Sequence, residues 1–177
     1  MSKIRITGGD WRSRLIDVTD APGLRPTPDR VRETLFNWLG QDLSGKHCLD
    51  LFAGSGILGF EAASRGAAHV TLVEQNRRVF SQLQRNAQIF DCPRLRLVSG
   101  DAVKFAVSAT ADYDVIFLDP PYRQGLLEMI ALHLASITKD GAYIYAEAEH
   151  RIDSLGGWQV IKQGQAGQVF FHLLERQ

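Results

Sequence analysis

Short apolar runs that alternate with helix-like segments limit the possible folds of this chain more than any other feature. The five runs lie at residues 47–52, 69–74, 95–100, 113–118 and 142–147. Between the second and third runs, apolar residues recur at the spacing of one helix face, at Val79, Leu83, Ala87 and Phe90. Strands that alternate with helices form βαβ units with right-handed crossovers around a largely parallel sheet.

The C-terminal end breaks this alternation. Residues "GWQVIKQGQ" and "GQVFFHLLE" are two strand-like runs with no helix between them, which predicts an antiparallel hairpin at the edge of the sheet. The expected fold is therefore α/β, a doubly wound, Rossmann-like, seven-stranded and mostly parallel sheet with an antiparallel C-terminal hairpin.

The first 43 residues follow a different pattern. "KIRITGGDWRSRLIDV" predicts a hairpin around Gly8 and Gly9, and "TPDRVRETLFNWL" predicts a helix with Thr27 as its N-cap and Pro28 at its first position. We expect one domain over 1–177, in which a hairpin-and-helix extension at 1–43 leans on a core at 44–177.

Composition excludes several classes of protein. The chain has 177 residues and a formal net charge of zero, which argues against a simple polyanion binder. Its two cysteines and five histidines lack metal-site spacing, so we expect no metal. No apolar run resembles a signal peptide or a membrane span, and this predicts a soluble, cytoplasmic protein with no membrane partner.

A glycine-rich loop follows the first run. "LDLFAGSGILGFEA" contains Gly54, Gly56 and Gly59 in the pattern G-x-G-x-x-G, and Glu74 ends the next predicted strand 20 residues after Gly54. A strand, this loop and a helix, followed by such an acid, form the dinucleotide-binding fingerprint. On this motif alone, the chain is a nicotinamide- or flavin-dependent enzyme.

Acidic residues near the ends of four consecutive strands favour a different ligand. They are Asp50, Glu74, Asp101 and Asp119. A pyrophosphate gains nothing from Asp50 beside its loop, whereas S-adenosylmethionine carries an ammonium, a sulfonium, a ribose and an adenine that such acids suit. Each acid has a structural alternative as a helix N-cap or turn former, and for Asp101 both interpretations remain open.

The segment "DPPY" follows the fourth run. Asp119 and the Pro120 carbonyl can accept hydrogen bonds from the two N–H groups of an exocyclic amine, and Pro120 and Pro121 keep that carbonyl in place. Tyr122 offers a stacking surface for a flat base. These features predict methyl transfer to an amino nitrogen.

The chain resembles the RsmD family, the bacterial 16S ribosomal RNA guanine-N2 methyltransferases, over nearly its full length. The resemblance rests on "RITGGDWRSRLI", "GLRPTPDRVRETLFNWL", "CLDLFAGSGILGFEAASRGAAHVTLVE" and "FLDPPY". It implies S-adenosylmethionine as cofactor, S-adenosylhomocysteine as product, and 16S rRNA of the small subunit, or of its assembly intermediate, as partner. By position it implies that Asp119, Pro120 and Tyr122 handle the amine, and that the cofactor is held by Asp50, Phe52, Gly54, Gly56, Glu74, Asp101 and Ala102.

Arginines of the N-terminal extension are the expected RNA contacts, together with Tyr122. They are Arg5, Arg12, Arg14 and Arg30. Trp11 is expected to stack on RNA or to pack against the domain, and Arg25 and Thr27 to reach either the methionine carboxylate or RNA.

We expect the protein to be a monomer. Two other classes of function remain open. A different amino methyltransferase, acting on adenine or on a protein glutamine, is one alternative. A nicotinamide-dependent oxidoreductase is the other, but it leaves the DPPY segment unexplained.

Overall fold

A computed structural model describes residues 1–177 and has an eight-stranded sheet at its centre. The strands are β1 (Ser2–Arg5), β2 (Leu15–Val18), β3 (His47–Asp50), β4 (His69–Glu74), β5 (Leu95–Ser99), β6 (Tyr113–Leu118), β7 (Thr138–Ala148), β8 (Ser154–Leu155), β9 (Trp158–Ala166) and β10 (Val169–Arg176). The helices are α1 (Asp29–Leu39), α2 (Ile57–Ser64), α3 (Arg77–Phe90), α4 (Ala102–Ser108), α5 (Leu126–Ala131) and α6 (Leu134–Ile137). None of these helices is long and apolar enough to cross a membrane.

The strand order of the central sheet is β5-β4-β3-β6-β7-β10-β9-β8. Strands β3 to β7 are parallel, and β10 runs antiparallel between β7 and β9. The predicted fold class is confirmed, with one addition: the short strand β8 pairs with β9 and makes an eighth strand. The chain reverses its direction of winding between β3 and β6, which places the topological switch point there.

Helices cover both faces of the sheet, and each face has its own hydrophobic core. One core of 22 buried residues includes side chains of the N-terminal segment, α1, α2 and α3. The other, of 17 residues, includes side chains of α4, α5 and α6. Helix α3 shows how the sequence produces this packing: Asn76 caps the N–H groups of Arg78 and Val79, and Val79 and Leu83 are buried.

Two local predictions need correction. Thr27 is not the N-cap of α1, because that helix begins at Asp29 after Pro28, and the Thr27 hydroxyl instead donates to Glu147 Oε1 at 3.0 Å. The helix-like segment expected between the fourth and fifth apolar runs is divided into α5 and α6, with Leu132 and His133 between them. In the first case a distant partner outcompetes the local capping signal.

The N-terminal hairpin lies directly on helix α2. Asp10 N–H donates to the Ser64 carbonyl at 2.8 Å, and Ser64 Oγ donates to the Gly8 carbonyl at 2.6 Å. A Cβ atom at Gly9 would lie 2.1 Å from the Ser64 carbonyl oxygen, and the φ of Gly9 is +78°. Glycine is therefore required where the hairpin turns over the helix.

A buried ion-pair group, the Glu61 cluster, joins the N-terminal segment to the core. It consists of Thr7, Arg32, Glu61 and Arg65. The fully buried Glu61 carboxylate accepts from Thr7 N–H (2.9 Å), Thr7 Oγ1 (2.7 Å), Arg32 (2.8 Å) and Arg65 (2.7 Å). Arg32, also fully buried, donates in addition to the backbone carbonyls of Arg5 and Thr27. The cluster thus fixes β1, α1 and α2 relative to one another.

Replacing Glu61 with glutamine should strongly destabilise the protein, because it removes the only carboxylate partner of buried Arg65 and leaves buried Arg32 with the partly exposed Asp29 alone. We expect the free energy of unfolding to fall by about 3–5 kcal/mol. Urea denaturation followed by tryptophan fluorescence measures this loss. Glu33→Gln, at an exposed position of α1, is the matched control. A loss in Glu61→Gln below about 1 kcal/mol, typical of a surface change, would contradict this account.

Candidate active site

The carboxyl ends of four adjacent parallel strands meet at one edge of the sheet, beside the switch point. Asp50 ends β3, Glu74 ends β4, Asp119 follows β6, and Glu147 lies near the end of β7. Ligands of doubly wound sheets bind at this edge.

The loop from β3 to α2 is shaped by glycine. Gly54 and Gly56 have φ values of +55° and +90°, which side chains rarely allow. A Cβ atom at Gly56 would lie 2.5 Å from Leu83 Cδ1, and one at Gly54 would lie 2.8 Å from Leu24 Cδ1. Leu24 belongs to the segment before α1, so the N-terminal extension forms a wall against the glycine loop.

Glu74 holds the glycine loop against the end of β4. Its Oε2 accepts from the Gly54 N–H at 2.8 Å, and its Oε1 accepts from the Asn76 N–H at 2.9 Å. The side chain is only partly buried. The acid of the dinucleotide-type fingerprint therefore lies next to the loop, as the sequence predicts.

Asp50 is a buried carboxyl under the first turn of α2. It is 1% exposed, and its Oδ2 accepts from the Gly59 N–H at 3.1 Å. Burial raises the pKa of Asp50 to about 7, and the negative charges of Glu74 and Glu147 add to this shift while the Gly59 N–H opposes it. The contact with Gly59 gives Asp50 a structural role in the loop.

The remaining predicted cofactor residues lie at the ends of β3 and β5. Phe52 is partly buried in the glycine loop and packs against the core that includes α4. Asp101 caps α4, accepting from the Lys104 N–H at 2.9 Å, and Ala102 is the first residue of that helix. The structural alternative considered for Asp101 is thus realised in the protein. Its role toward a cofactor stays a prediction.

Asp119 lies against a second carboxyl, that of Glu147. Glu147 is 5% exposed and its Oε1 accepts from the hydroxyls of Tyr145 at 2.6 Å and Thr27 at 3.0 Å. Burial raises the pKa of Asp119 well above its usual range, and the charge of Glu147 and a hydrogen bond with its carboxyl raise it further.

Glu147 is a site residue that the sequence reasoning missed. The fifth predicted strand, 142–147, ends in this acid, and Asp50, Glu74 and Asp101 likewise lie at or near the ends of earlier predicted strands. Extending the pattern by one strand would have found it.

The DPPY segment borders a cleft of about 170 Å³. Its lining residues include Pro120, Pro121, Tyr122, Glu147 and His150. Tyr122 is 40% exposed, which leaves part of its ring available for stacking.

The side chain of Arg25 places a positive charge near Tyr122 of the DPPY segment. Partial burial raises the pKa of the Tyr122 hydroxyl, as does the negative charge of Asp119, whereas the positive charge of Arg25 lowers it. Arg25 is exposed. The segment before α1 therefore brings a cation close to this cleft.

The predicted RNA-contacting arginines fall into two groups. Arg5 pairs with Asp29 at 3.0 Å, and the Arg14 guanidinium lies over the Phe90 ring, 4.6 Å from its centroid. Arg12 and Arg30 are exposed, and neither side chain has an ion-pair or hydrogen-bond partner in the protein. Only the second pair is fully free for a ligand.

Trp11 packs against the domain. Its ring stacks on Phe90 with 4.2 Å between centroids. Of the two roles considered for Trp11, packing is the one this contact supports.

No three histidine, cysteine, aspartate or glutamate side chains are grouped in a way that would hold a metal ion. The site is instead built of carboxyls, glycine backbone and aromatic surface.

Residues 4–175 match the model of the family described as Conserved hypothetical protein 95. The chain belongs to this family. It is 43% identical to the ribosomal RNA small subunit methyltransferase D of Escherichia coli K12, over 99% of this chain and 91% of that relative. The protein of the same name from Haemophilus influenzae is 38% identical, over 98% and 94%. The resemblance to the RsmD family is thus confirmed.

The fold has a close counterpart among solved structures. The solved structure of the Escherichia coli protein yhhF superposes with a TM-score of 0.90 at 40% identity, covering 99% of each chain. The sheet order and the N-terminal segment of this chain therefore belong to a shared architecture.

Replacing Asp50 with asparagine should change how stability depends on pH. Folded Asp50 keeps its proton up to about pH 7, whereas in the unfolded chain it loses the proton near 3.8. Its contribution to stability is thus fully present below about pH 4 and is lost as pH rises through 7. Asparagine accepts from Gly59 without ionising, so Asp50→Asn should gain stability over the wild type between pH 4 and 8, by up to roughly 4 kcal/mol.

Urea denaturation at several pH values measures this difference. Asp140→Asn, at an exposed acid of β7, is the matched control and should follow the wild-type profile. Parallel profiles for Asp50→Asn and the wild type would show that Asp50 titrates as an ordinary acid.

Proposed function

We propose that this protein transfers a methyl group from S-adenosylmethionine to the exocyclic N2 amino group of a guanine in 16S rRNA. The observation that carries the proposal is that the glycine loop and the DPPY segment share one edge of the sheet. Family membership supports it, because the curated relatives are named as methyltransferases of small-subunit ribosomal RNA. Cofactor, base and position on the base are inferences for this chain.

The residues at the ends of β3, β4 and β5 fit S-adenosylmethionine. Gly54 and Gly56 keep the loop free of side chains, so a ligand can approach its backbone. The carboxylate of Glu74 suits ribose hydroxyls, and Asp101 with Ala102 at the end of β5 suits the adenine. Bound here, the cofactor would supply an electrophilic methyl group and would leave as S-adenosylhomocysteine.

The DPPY segment provides what a poorly nucleophilic amine needs. Asp119 accepts from one N–H of the amine and the Pro120 carbonyl accepts from the other, which turns the nitrogen lone pair toward the methyl group. Tyr122 stacks on the base, an interaction worth roughly 1–3 kcal/mol. Correct alignment of two reactants lowers a barrier by on the order of 7–11 kcal/mol, so positioning is the main contribution of these residues.

The N-terminal segment is the proposed RNA-facing surface. Arg12 and Arg30 are exposed and free of protein partners, and Arg25 lies near Tyr122. The formal net charge of zero gives the chain no general attraction to RNA. We therefore propose recognition of a folded region in the small subunit or its assembly intermediate, where shape contributes to specificity.

Incubation with radiolabelled S-adenosylmethionine and unmethylated small ribosomal subunits tests this function. The label should appear on N2 of one guanine of 16S rRNA, as mapped by nuclease digestion and mass spectrometry. Asp119→Ala should lose about 100- to 1,000-fold in rate, because one preorganised contact of the reacting group is gone. Label on adenine, on protein or on no acceptor would refute the proposal.

Replacing Arg12 and Arg30 together with alanine should weaken binding to the small subunit and make it less salt-dependent. Each lost phosphate contact should reduce the slope of log affinity against log salt by about 0.7–0.9. Filter binding across a salt series measures this slope. Arg176→Ala, at the end of β10 on the opposite edge of the sheet, is the control. Equal slopes in the double variant and the wild type would place the RNA elsewhere.

A further inference from the structure

Glu147 is a buried carboxyl in the proposed active site that has no role in the mechanism described so far. Across the parallel strands β6 and β7, Leu118 pairs with Ala146. Asp119 directly follows Leu118, the last residue of β6, and Glu147 follows Ala146 within β7. Neighbouring positions of two parallel strands that continue this register face the same side of the sheet. The pairing register therefore places the two residues next to each other, and their carboxyls are hydrogen-bond neighbours.

The surroundings of Glu147 provide hydroxyl groups but no cation. Thr27 and Tyr145 both donate to Oε1, and no lysine or arginine pairs with the side chain. Asp119 is the remaining hydrogen-bond neighbour. Two adjoining carboxyls without a cation cannot both be ionised at low cost, and one shared proton resolves the repulsion.

We propose that Glu147 is a positioning residue that shares one proton with Asp119 and so controls the ionisation and orientation of the carboxyl that receives the substrate amine. This inference rests on the proposed function. The two hydroxyl donors fix Glu147, and Glu147 in turn fixes Asp119. Thr27 extends the link to the segment before α1.

The shared proton gives the reaction a closed proton balance. Entry of a positively charged ligand favours the ionised pair, which then releases its proton to solvent. In the transfer step the acceptor nitrogen bonds to the methyl carbon, and the methyl–sulfur bond breaks with its electron pair on sulfur. The nitrogen then carries one extra proton, which passes to Asp119 and restores the shared state.

Other ionisable groups near the pair modulate its charge. Asp50 at the end of β3 adds negative charge, and Tyr122 after β6 and Tyr145 on β7 are neutral hydroxyl groups. Arg25, in the segment before α1, is the positive group near Tyr122. Asp50 disfavours ionisation of Asp119, whereas the positive charge of Arg25 acts on the Tyr122 hydroxyl.

A carboxyl titration tests the pair without any ligand. In ¹³C NMR of the full chain, Glu147→Gln should lower the pKa of Asp119 by about 1–3 units, because the adjoining negative charge is removed. Tyr145→Phe, which removes one donor to Oε1 but keeps both carboxyls, should move the shared proton toward Glu147 and lower the Asp119 pKa less. An Asp119 titration that neither variant changes would overturn the inference.

Calorimetry with the proposed ligands tests proton release. At pH 7, in buffers that differ in ionisation enthalpy, the wild type should release more protons on binding S-adenosylmethionine than on binding S-adenosylhomocysteine, whose sulfur is neutral. Glu147→Gln should reduce this difference to the part that Asp50 contributes, because the pKa of Asp50 is about 7 and this acid also responds to a cationic ligand. Glu175→Gln, at the opposite end of neighbouring β10, should preserve the full difference. An unchanged difference in Glu147→Gln would refute the shared proton.

Measurements of kcat and KM distinguish a failure of the proposed role of Glu147 from a failure of the proposed function. Glu147→Gln should reduce kcat by about 100-fold or more, in the range of a lost acid–base contribution, with little change in KM for small subunits. A wild type that binds neither ligand would refute the proposed function, while the titration would still test the carboxyl pair. Wild-type kcat in Glu147→Gln would overturn the inference alone.

Discussion

The carboxylate of Glu61, buried and without access to water, is the interaction on which the rest of the structure depends. A buried charge is tolerated only when hydrogen-bond donors replace its hydration. Glu61 has four such donors: two from Thr7 in the β1–β2 loop, one from Arg32 of α1 and one from Arg65 at the end of α2. Arg32 carries the link onward, because it also donates to the carbonyl of Thr27 at 2.9 Å. The hydroxyl of Thr27 reaches Glu147, next to Asp119. A single chain of polar contacts thus connects the N-terminal hairpin to the DPPY segment.

The acids at the sheet edge combine structural contacts with their proposed roles in binding. The Glu74 carboxylate accepts a hydrogen bond from the Gly54 N–H, and the Asp50 carboxyl accepts one from the Gly59 N–H. Asp101 caps α4. These contacts shape the loop and helix starts around which a ligand would bind. Negative charges that lie close together with few cations nearby lower the stability of the fold. Acids whose pKa values are shifted in this way are typical of active sites.

The sequence predicted the parts of the fold whose signals are local. The five parallel strands and the C-terminal hairpin follow from apolar runs and turn residues, whereas two-residue β8 is too short to produce a pattern. Glu61 lies in "ILGFEAAS", where a glutamate is expected to face solvent; its burial depends on Arg32, 29 residues earlier in the chain. The local sequence predicts Thr27 as a helix N-cap, but its hydroxyl donates instead to Glu147, 120 residues away. Polar contacts between residues so far apart in the chain produce no periodic pattern in the sequence, and sequence analysis therefore does not find them.

We propose that the N-terminal segment and the carboxyl-end edge of the sheet form one binding site. Hydrogen exchange of the full chain, with and without S-adenosylhomocysteine, tests it most directly. We expect the ligand to slow exchange both in the glycine loop, 53–57, and in the segment 21–28 that carries Leu24 and Thr27. Protection of the glycine loop alone, with exchange in 21–28 unchanged, would contradict it.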